Sequence, residues 1–360
     1  MNHRDNLFKE FAAVSAEAWL AKITLDLKGK NLETLNHSVG KNLVLTPFHH
    51  ADTLSASAGP IARDTQDNEW LIGESFLIGD DLTSTNKAML HALENGVEAI
   101  NISFDRKLTQ DDFNKLFEKI EPSYIHIHFT IDPSLDPLES LSEFAKILPE
   151  KIGDKNNFYG SISGVRIPDQ ALQNWKNIHL PNFKTGSIEA PFGDPVDQLT
   201  TLINGGVEVL SKSQDIAMAN EVIFKMKIGT DFFLEIAKLR ALRILWANVL
   251  QSYELEHTIY PKIMVEFATS SQTEDPNQNM IRATTMAMAA ALGGADFLTV
   301  LPADGEDNTS SFYRRIARNV QHILKMESFL NRVKDVAAGS YYVETLTTKI
   351  GAAVWKNIGS

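Results

Sequence analysis

The sequence contains no cysteine. Disulfides, thiolate nucleophiles and cysteine-ligated metals are therefore excluded, and a cytoplasmic location fits. No run approaches the ~20 apolar residues that cross a bilayer, and the opening MNHRDNLFKEF has no apolar signal core. Positive charge is scarce. Lys and Arg number 34 against 46 Asp and Glu, a net charge of −12, which argues against nucleic acid and against an anionic membrane as partners. A phosphate-cradling glycine turn is also missing: the stretch after the first clear strand reads LIGDDLTSTNK, with no GxGxxG.

What is present is a soluble globular composition, 43% hydrophobic and 22% charged over 360 residues. Residues 15–27 form an amphipathic helix that Ser15 caps, with Ala18, Trp19, Lys22, Ile23 and Leu27 on one stripe. Residues 31–68 read as irregular chain, the sort that wraps a surface. Phe48 and the His49-His50 pair lie in it; two adjacent histidines lack the third ligand a metal needs. From Glu69 onward short apolar strands alternate with helices. The strands are expected at 70–78, 97–104, 123–129, 158–162, 183–188, 221–228, 263–267 and 297–301. The helices that follow are expected at 83–95, 109–119, 137–149, 168–175, 195–210, 231–250, 277–292 and 310–327. Gly205-Gly206 should break the fifth helix softly, and Gly293-Gly294 should stop the seventh. Eight strand–helix units over about 260 residues predict a parallel (β/α)8 TIM barrel in the α/β class. An open doubly wound sheet is the alternative. The expected organisation is an N-terminal arm at 1–68, the barrel at 69–330, and a C-terminal extension at 331–360 that packs on it.

A barrel carries its chemistry at the C-terminal ends of its strands. The residues there are Gly79, Asp80, Asp81, Asp105, Arg106, Arg166, Glu189, Asp304 and the stretch 266–271, with His126 and His128 on the third strand and Lys225 and Lys227 on the sixth. Each has two readings. Asp80 and Asp81 serve to lead into a helix; Asp105 and Arg106 read as a solvated loop pair. His126 and His128 share a face, a spacing open to a metal or to hydrogen-bonded structural histidines. Lys225 and Lys227 offer a Schiff-base amine, or they reach solvent or pair with acids. Asp304, Glu306 and Asp307 read as a solvated acidic loop. Ser161, Ser270 and Ser271 show no His–Asp partnership by spacing. Residue chemistry alone names no reaction. Phe224, Met226, Met264, Phe267, Leu298 and Val300, bulky on both strand parities, predict a filled barrel axis.

Four long stretches carry a family resemblance: IGTDFFLEIAKLRALRILWANV (228–249), DPNQNMIRATTMAMAAALGGADFLTVLP (275–302), FYRRIARNVQHILKMES (312–328) and NRVKDVAAGSYYVETLT (331–347). Through them, and from about residue 11 to the end, the chain resembles the methylmalonyl-CoA mutase family of adenosylcobalamin-dependent isomerases. The resemblance implies an eight-stranded barrel that takes acyl-CoA along its axis. Catalytic members carry Trp-x-x-Arg-x-Tyr on strand one; here Trp70 stands, but Gly73 and Ser75 occupy the Arg and Tyr places. Their Tyr-His pair after strand five is replaced by a segment holding Ala190, Pro191 and Phe192. Their Arg-Thr-His-Ser-Gln-Thr becomes ATSSQT, with Ala268 and Ser270 at the Arg and His places. Their His-Thr-Asn after strand eight becomes Thr299-Val300-Leu301.

On that comparison the chain is similar to the family's small, non-catalytic subunit. The resemblance implies no catalytic residue, metal or cofactor site in this chain, with Gly73, Ser75, Ala190, Ala268, Ser270 and Thr299 as the degenerate positions. It implies a catalytic large subunit as heterodimer partner, holding the adenosylcobalamin and interconverting methylmalonyl-CoA and succinyl-CoA; a homodimer is open to the chain in isolation. Residues 8–50 are the expected arm to that partner. No cobalamin-binding domain is expected in the chain, and His322 is the only histidine after residue 260. Two alternatives stand: an active isomerase that borrows a cobalamin domain from another chain, and an acyl-CoA-binding barrel without radical chemistry.

Overall fold

The computed structural model describes residues 12–41, 43–54, 61, 63, 65–163, 180, 182–213, 216–255, 260–305 and 310–358. Arg166, the helix expected at 168–175, Glu306, Asp307 and the start of the expected arm lie outside the described residues.

The arm opens with α1 (Ala16–Asp26), whose first turn is closed by the Ser15 side chain accepting from the Ala18 N–H. It buries only Ala16 and leaves Trp19 and Leu25 exposed. The stretch read as irregular contains a small antiparallel hairpin, β1 (His37–Val39) and β2 (Leu43–Leu45). The hairpin is fastened to the barrel by Lys41 against Asp197, by the Lys349 ammonium on the Val44 carbonyl, and by Leu45, which is fully buried. Its apolar residues are too few to signal strands in sequence.

The alternating pattern then gives β3 (Leu71–Leu77), α2 (Leu82–Glu94), β4 (Ala99–Phe104), α3 (Gln110–Leu116), β5 (His126–Ile131), α4 (Pro137–Lys151), β6 (Tyr159–Ser163), β7 (Phe183–Lys184) and β8 (Gly186–Ala190). It continues with α5 (Pro195–Ser213), β9 (Val222–Ile228), α6 (Phe232–Ser252), β10 (Lys262–Phe267), α7 (Pro276–Gly293), β11 (Phe297–Thr299), α8 (Ser311–His322) and α9 (Tyr341–Asn357). Several ends are set by side chains that the sequence displays. Asp81 caps α2, the Thr109–Asp112 pair forms a capping box on α3, and Asp231 caps α6. Gly294 ends α7 in the left-handed region at φ 87°.

All sheet pairs from β3 to β11 are parallel, in the order β7-β6-β5-β4-β3-β11-β10-β9-β8. The two ends of that order, β7 and β8, are consecutive and separated only by Thr185. They are one strand with a bulge, pairing β6 on one side and β9 on the other. The sheet therefore closes as an eight-stranded (β/α)8 barrel, as the alternation predicts. Across the bulge Lys184 and Ser187, an odd number of residues apart, pair with Ser161 and Ile223, so the strand changes parity as it crosses the seam.

The hydrophobic core fills the layer between sheet and helices. One part packs β4, β5 and β6 under α2, α3 and α4 around Phe113, Phe129 and Phe144. The other packs β9 and β10 under α5, α6, α7 and α9 around Trp246. Gly205 and Gly206 do not break α5. A Cβ on Gly206 would stand 2.4 Å from the Trp246 ring, and one on Gly205 2.6 Å from Ile188; the glycines let the helix lie close. α6 is covered on nearly all sides and buries four charged residues. Arg240 pairs with Asp335 and Glu344, which anchors the C-terminal segment and α9; Glu235 pairs with Lys238 at 2.7 Å. Arg243 meets Asp296 at 2.6 Å, and Arg63 of the arm reaches the same carboxylate at 3.0 Å. Burial works against the Asp296 charge, yet the Arg243 and Arg63 guanidiniums hold its carboxyl below the usual carboxylate range.

Candidate functional site at the barrel mouth

The expectation of a filled axis is overturned. Phe224, Met226, Phe267, Leu298 and Val300 belong to the outer apolar layer, Phe267 and Val300 also bordering the upper cavity; Met264 is outside that layer and lines the lower cavity. A strand covered by helices outside buries both faces, so bulk on both parities does not reveal which points inward. The inward set includes small polar residues, Ser75 and Thr130 at the upper cavity and Asn101 and Ser161 beside His128 at the lower, where Ile223, Met264 and Phe297 add an apolar wall. The alternation that announced it is visible in AINISF, HIHFTI and YGSIS, where every second residue is polar or small.

Two cavities share the axis. The upper, of about 240 Å³, opens at the C-terminal ends of the strands. The lower, of about 190 Å³, lies toward the N-terminal ends. Lys225 stands at the upper one with its side chain only 5% exposed. Its ammonium donates to Thr130 Oγ1 at 3.1 Å and lies 3.3 Å from Glu266 and 3.9 Å from Glu189. The pairing reading therefore describes Lys225, and its amine is enclosed by partners rather than offered as a nucleophile. Asn101 donates to Thr299 Oγ1 at 2.7 Å and approaches Glu266 at 3.4 Å. Its Oδ1 is buried without a hydrogen-bond partner. Asn101 and Thr130 were not singled out from the sequence; their places in the period-two pattern are the signal that could have found them.

The two histidines lie in the lower half. His128 engages Ser161 Oγ through Nδ1 and Ser163 Oγ through Nε2 at 3.0 Å. Burial, reinforced by Lys225, drives its pKa well below the ordinary value, so the ring is neutral. His126 stacks on Tyr159 at 5.2 Å with Phe297 edge-on; burial and then Lys262 lower it to about 4. Hydroxyls hold His128, and aromatic rings flank His126. Among the described residues no group of three or more His, Cys, Asp or Glu is arranged to hold a metal.

Of the six family positions, three meet at the upper cavity and three do not. Gly73, Ser75 and Thr299 line it. Ala190 is buried in the outer apolar layer, Ala268 is buried after β10, and Ser270 is exposed. Ser271 is buried and donates to the Ala268 carbonyl. Elsewhere at the mouth Arg106 reaches Asp112 rather than its neighbour Asp105, and Asp304 accepts from the Ser310 N–H before α8. His322 lies outside the barrel, against Gly96, with Nε2 3.1 Å from the Asn95 carbonyl. The described residues that line the upper cavity include no imidazole. No helix among the described residues is long and apolar enough to cross a membrane.

Residues 201–360 match the family described as Methylmalonyl-CoA mutase. Among curated relatives, the methylmalonyl-CoA mutase small subunit of Porphyromonas gingivalis is 32% identical over 98% of this chain and 63% of its own length. That of Streptomyces virginiae is 40% identical over 97% of this chain and 64% of its own length. The Escherichia coli methylmalonyl-CoA mutase is 34% identical over 67% of this chain and 38% of its own. The chain thus spans a little under two thirds of the two small-subunit relatives. Among solved structures, a Yersinia pestis DHPS covers 72% of this chain at 12% identity with a TM-score of 0.42.

Proposed function

Because the chain belongs to the methylmalonyl-CoA mutase family, we propose that it serves as a small subunit, pairing with and steadying a catalytic chain that interconverts methylmalonyl-CoA and succinyl-CoA. The observation that supports this is the mouth itself. Radical isomerisation needs donors that hold a thioester carbonyl and a carboxylate in a closed pocket. Gly73, Ser75 and Thr299 bring no guanidinium, phenol or imidazole there; Lys225 is paired with Glu266 and Glu189, Arg314 and Arg318 are paired with Glu74, and only the Lys227 ammonium is without a partner among the described residues. Adenosylcobalamin would then be held by the partner. Co-expression with a large subunit of the family tests the reading. A stable complex, with turnover that survives Lys225→Met in this chain, is the expected result. Separate elution of the two chains, or turnover by this chain alone, would sink it.

One observation favours a second reading, an acyl-CoA-binding barrel without radical chemistry. The axis holds two cavities, the upper with polar and charged side chains at its lining and the lower walled mainly by apolar ones, Ile223, Met264 and Phe297 among them, which suits a chain with a polar and an apolar part. Calorimetric titration with acyl-CoAs separates the two, since a barrel with a purely supporting role gives no saturable heat.

A further inference from the structure

The upper cavity passes through the barrel wall. β3 and β11 pair only as far as Gly73 and Thr299. Beyond that level the chain turns toward the start of α7, where Gln272, before the helix, and Asn279, within it, donate to the Pro302 and Ala303 carbonyls. A cleft remains between β3 and residues 300–302, under α8. The cavity runs into it, so axis-facing Ser75 and wall-facing Glu74 line the same space.

The charges around this space do not cancel. Its cations are Lys225, Lys227, Arg314 and Arg318, and its carboxylates are Glu74, Glu189 and Glu266. Each of the three carboxylates has a cationic partner, two of them the same one. Glu74 receives Arg314 at 2.5 Å and Arg318 at 2.7 Å, while Glu189 and Glu266 share Lys225. Lys227 alone among the cations has no ion-pair or hydrogen-bond partner for its ammonium among the described residues. One surplus positive charge in a partly enclosed site attracts an anion more strongly than it would in water. The rest of the lining includes Phe76, Phe267, Val300 and Leu301, an apolar wall.

We propose that this cavity binds a short-chain aliphatic monocarboxylate, with the carboxylate on Lys227 and the hydrocarbon along that wall. A monoanion brings the lining to neutrality. A dianion leaves one charge facing the Glu266 and Glu189 carboxylates, and a neutral amide leaves Lys227 unpaired. The proposal does not depend on the chain's pairing with a catalytic subunit or on its binding acyl-CoA.

Titration calorimetry of the full chain at low ionic strength tests it, with butanoate as probe and butanamide, succinate, chloride and inorganic phosphate as comparisons. Butanoate is expected to give single-site saturable binding, about tenfold or more tighter than any of the other four, a difference of about 1.4 kcal/mol or more. Lys227→Met should weaken it about tenfold or more, and Lys227→Arg should largely restore it, with circular dichroism melting showing that both variants fold. No saturable butanoate binding, equal binding of butanamide or chloride, or affinity unchanged in a folded Lys227→Met chain would each overturn the proposal. If Lys227→Met does not fold, the comparison of the five ligands on the unaltered chain decides it.

Discussion

Gly73 and Thr299 are paired across β3 and β11: a Cβ on Gly73 would stand 2.6 Å from Thr299 Oγ1 and 3.0 Å from the Leu298 carbonyl oxygen. The absence of a side chain at Gly73 is thus part of how the barrel closes. Gly73→Ala should cost about 1–3 kcal/mol, the usual range for overpacking. A lowered urea midpoint with an unchanged slope would show it; an unchanged midpoint would mean that the strands separate freely at this level.

Lys225 and Glu266 should behave as a coupled pair. Lys225→Met leaves Glu266 beside Asn101 without its cation and should destabilise by about 1–3 kcal/mol. Glu266→Gln in the same chain should recover part of that loss. A double-mutant cycle in urea measures the coupling, and purely additive effects would show that the pair contributes nothing.

Stability should fall with acidification. Burial lowers His126 to about 4 and His128 well below its ordinary value of 6.5. Between 6.5 and those lowered values the unfolded chain binds more protons than the folded one, so stability rises with pH across that window and is lost as pH falls through it. Urea midpoints measured from about pH 7 down to about pH 4.5 should decline, and His126→Phe, which keeps the stack on Tyr159, should decline less steeply. Parallel curves for the two proteins would contradict this.

Arg240 is fully buried between Asp335 and Glu344. Arg240→Met leaves two buried carboxylates without their cation and should cost about 3–5 kcal/mol. Hydrogen exchange should show the loss first in α9, whose anchor Glu344 is. Protection in α9 equal to that of the unaltered chain would argue that apolar packing alone holds it.

Much of the fold was legible in the sequence. Apolar strands separated by capped helices implied a parallel closed sheet, and Asp81, Thr109, Asp231 and Gly294 marked helix ends where the structure has them. The hairpin around Val39 and Leu45 was not legible, because three-residue strands carry too little periodicity. Nor was α5 expected to run straight through Gly205-Gly206, where the demand is close packing on Ile188 and Trp246 rather than a helix stop. At the mouth, Lys225, Glu189 and Glu266 were visible as strand-end residues, but their convergence was not.

The sequence by itself determined the barrel class and the family, because strand–helix alternation and long contiguous motifs are properties of neighbouring residues. Only the tertiary structure decided which strand face points inward. In a barrel wrapped by helices both faces are buried, and a bulge such as that at Thr185 reverses the parity within a strand. The closure that turned Phe224 and Leu298 outward also turned Asn101, Thr130 and Lys225 toward one another. It left Lys227, the next inward residue of β9, as a cation facing the cavity without a partner among the described residues.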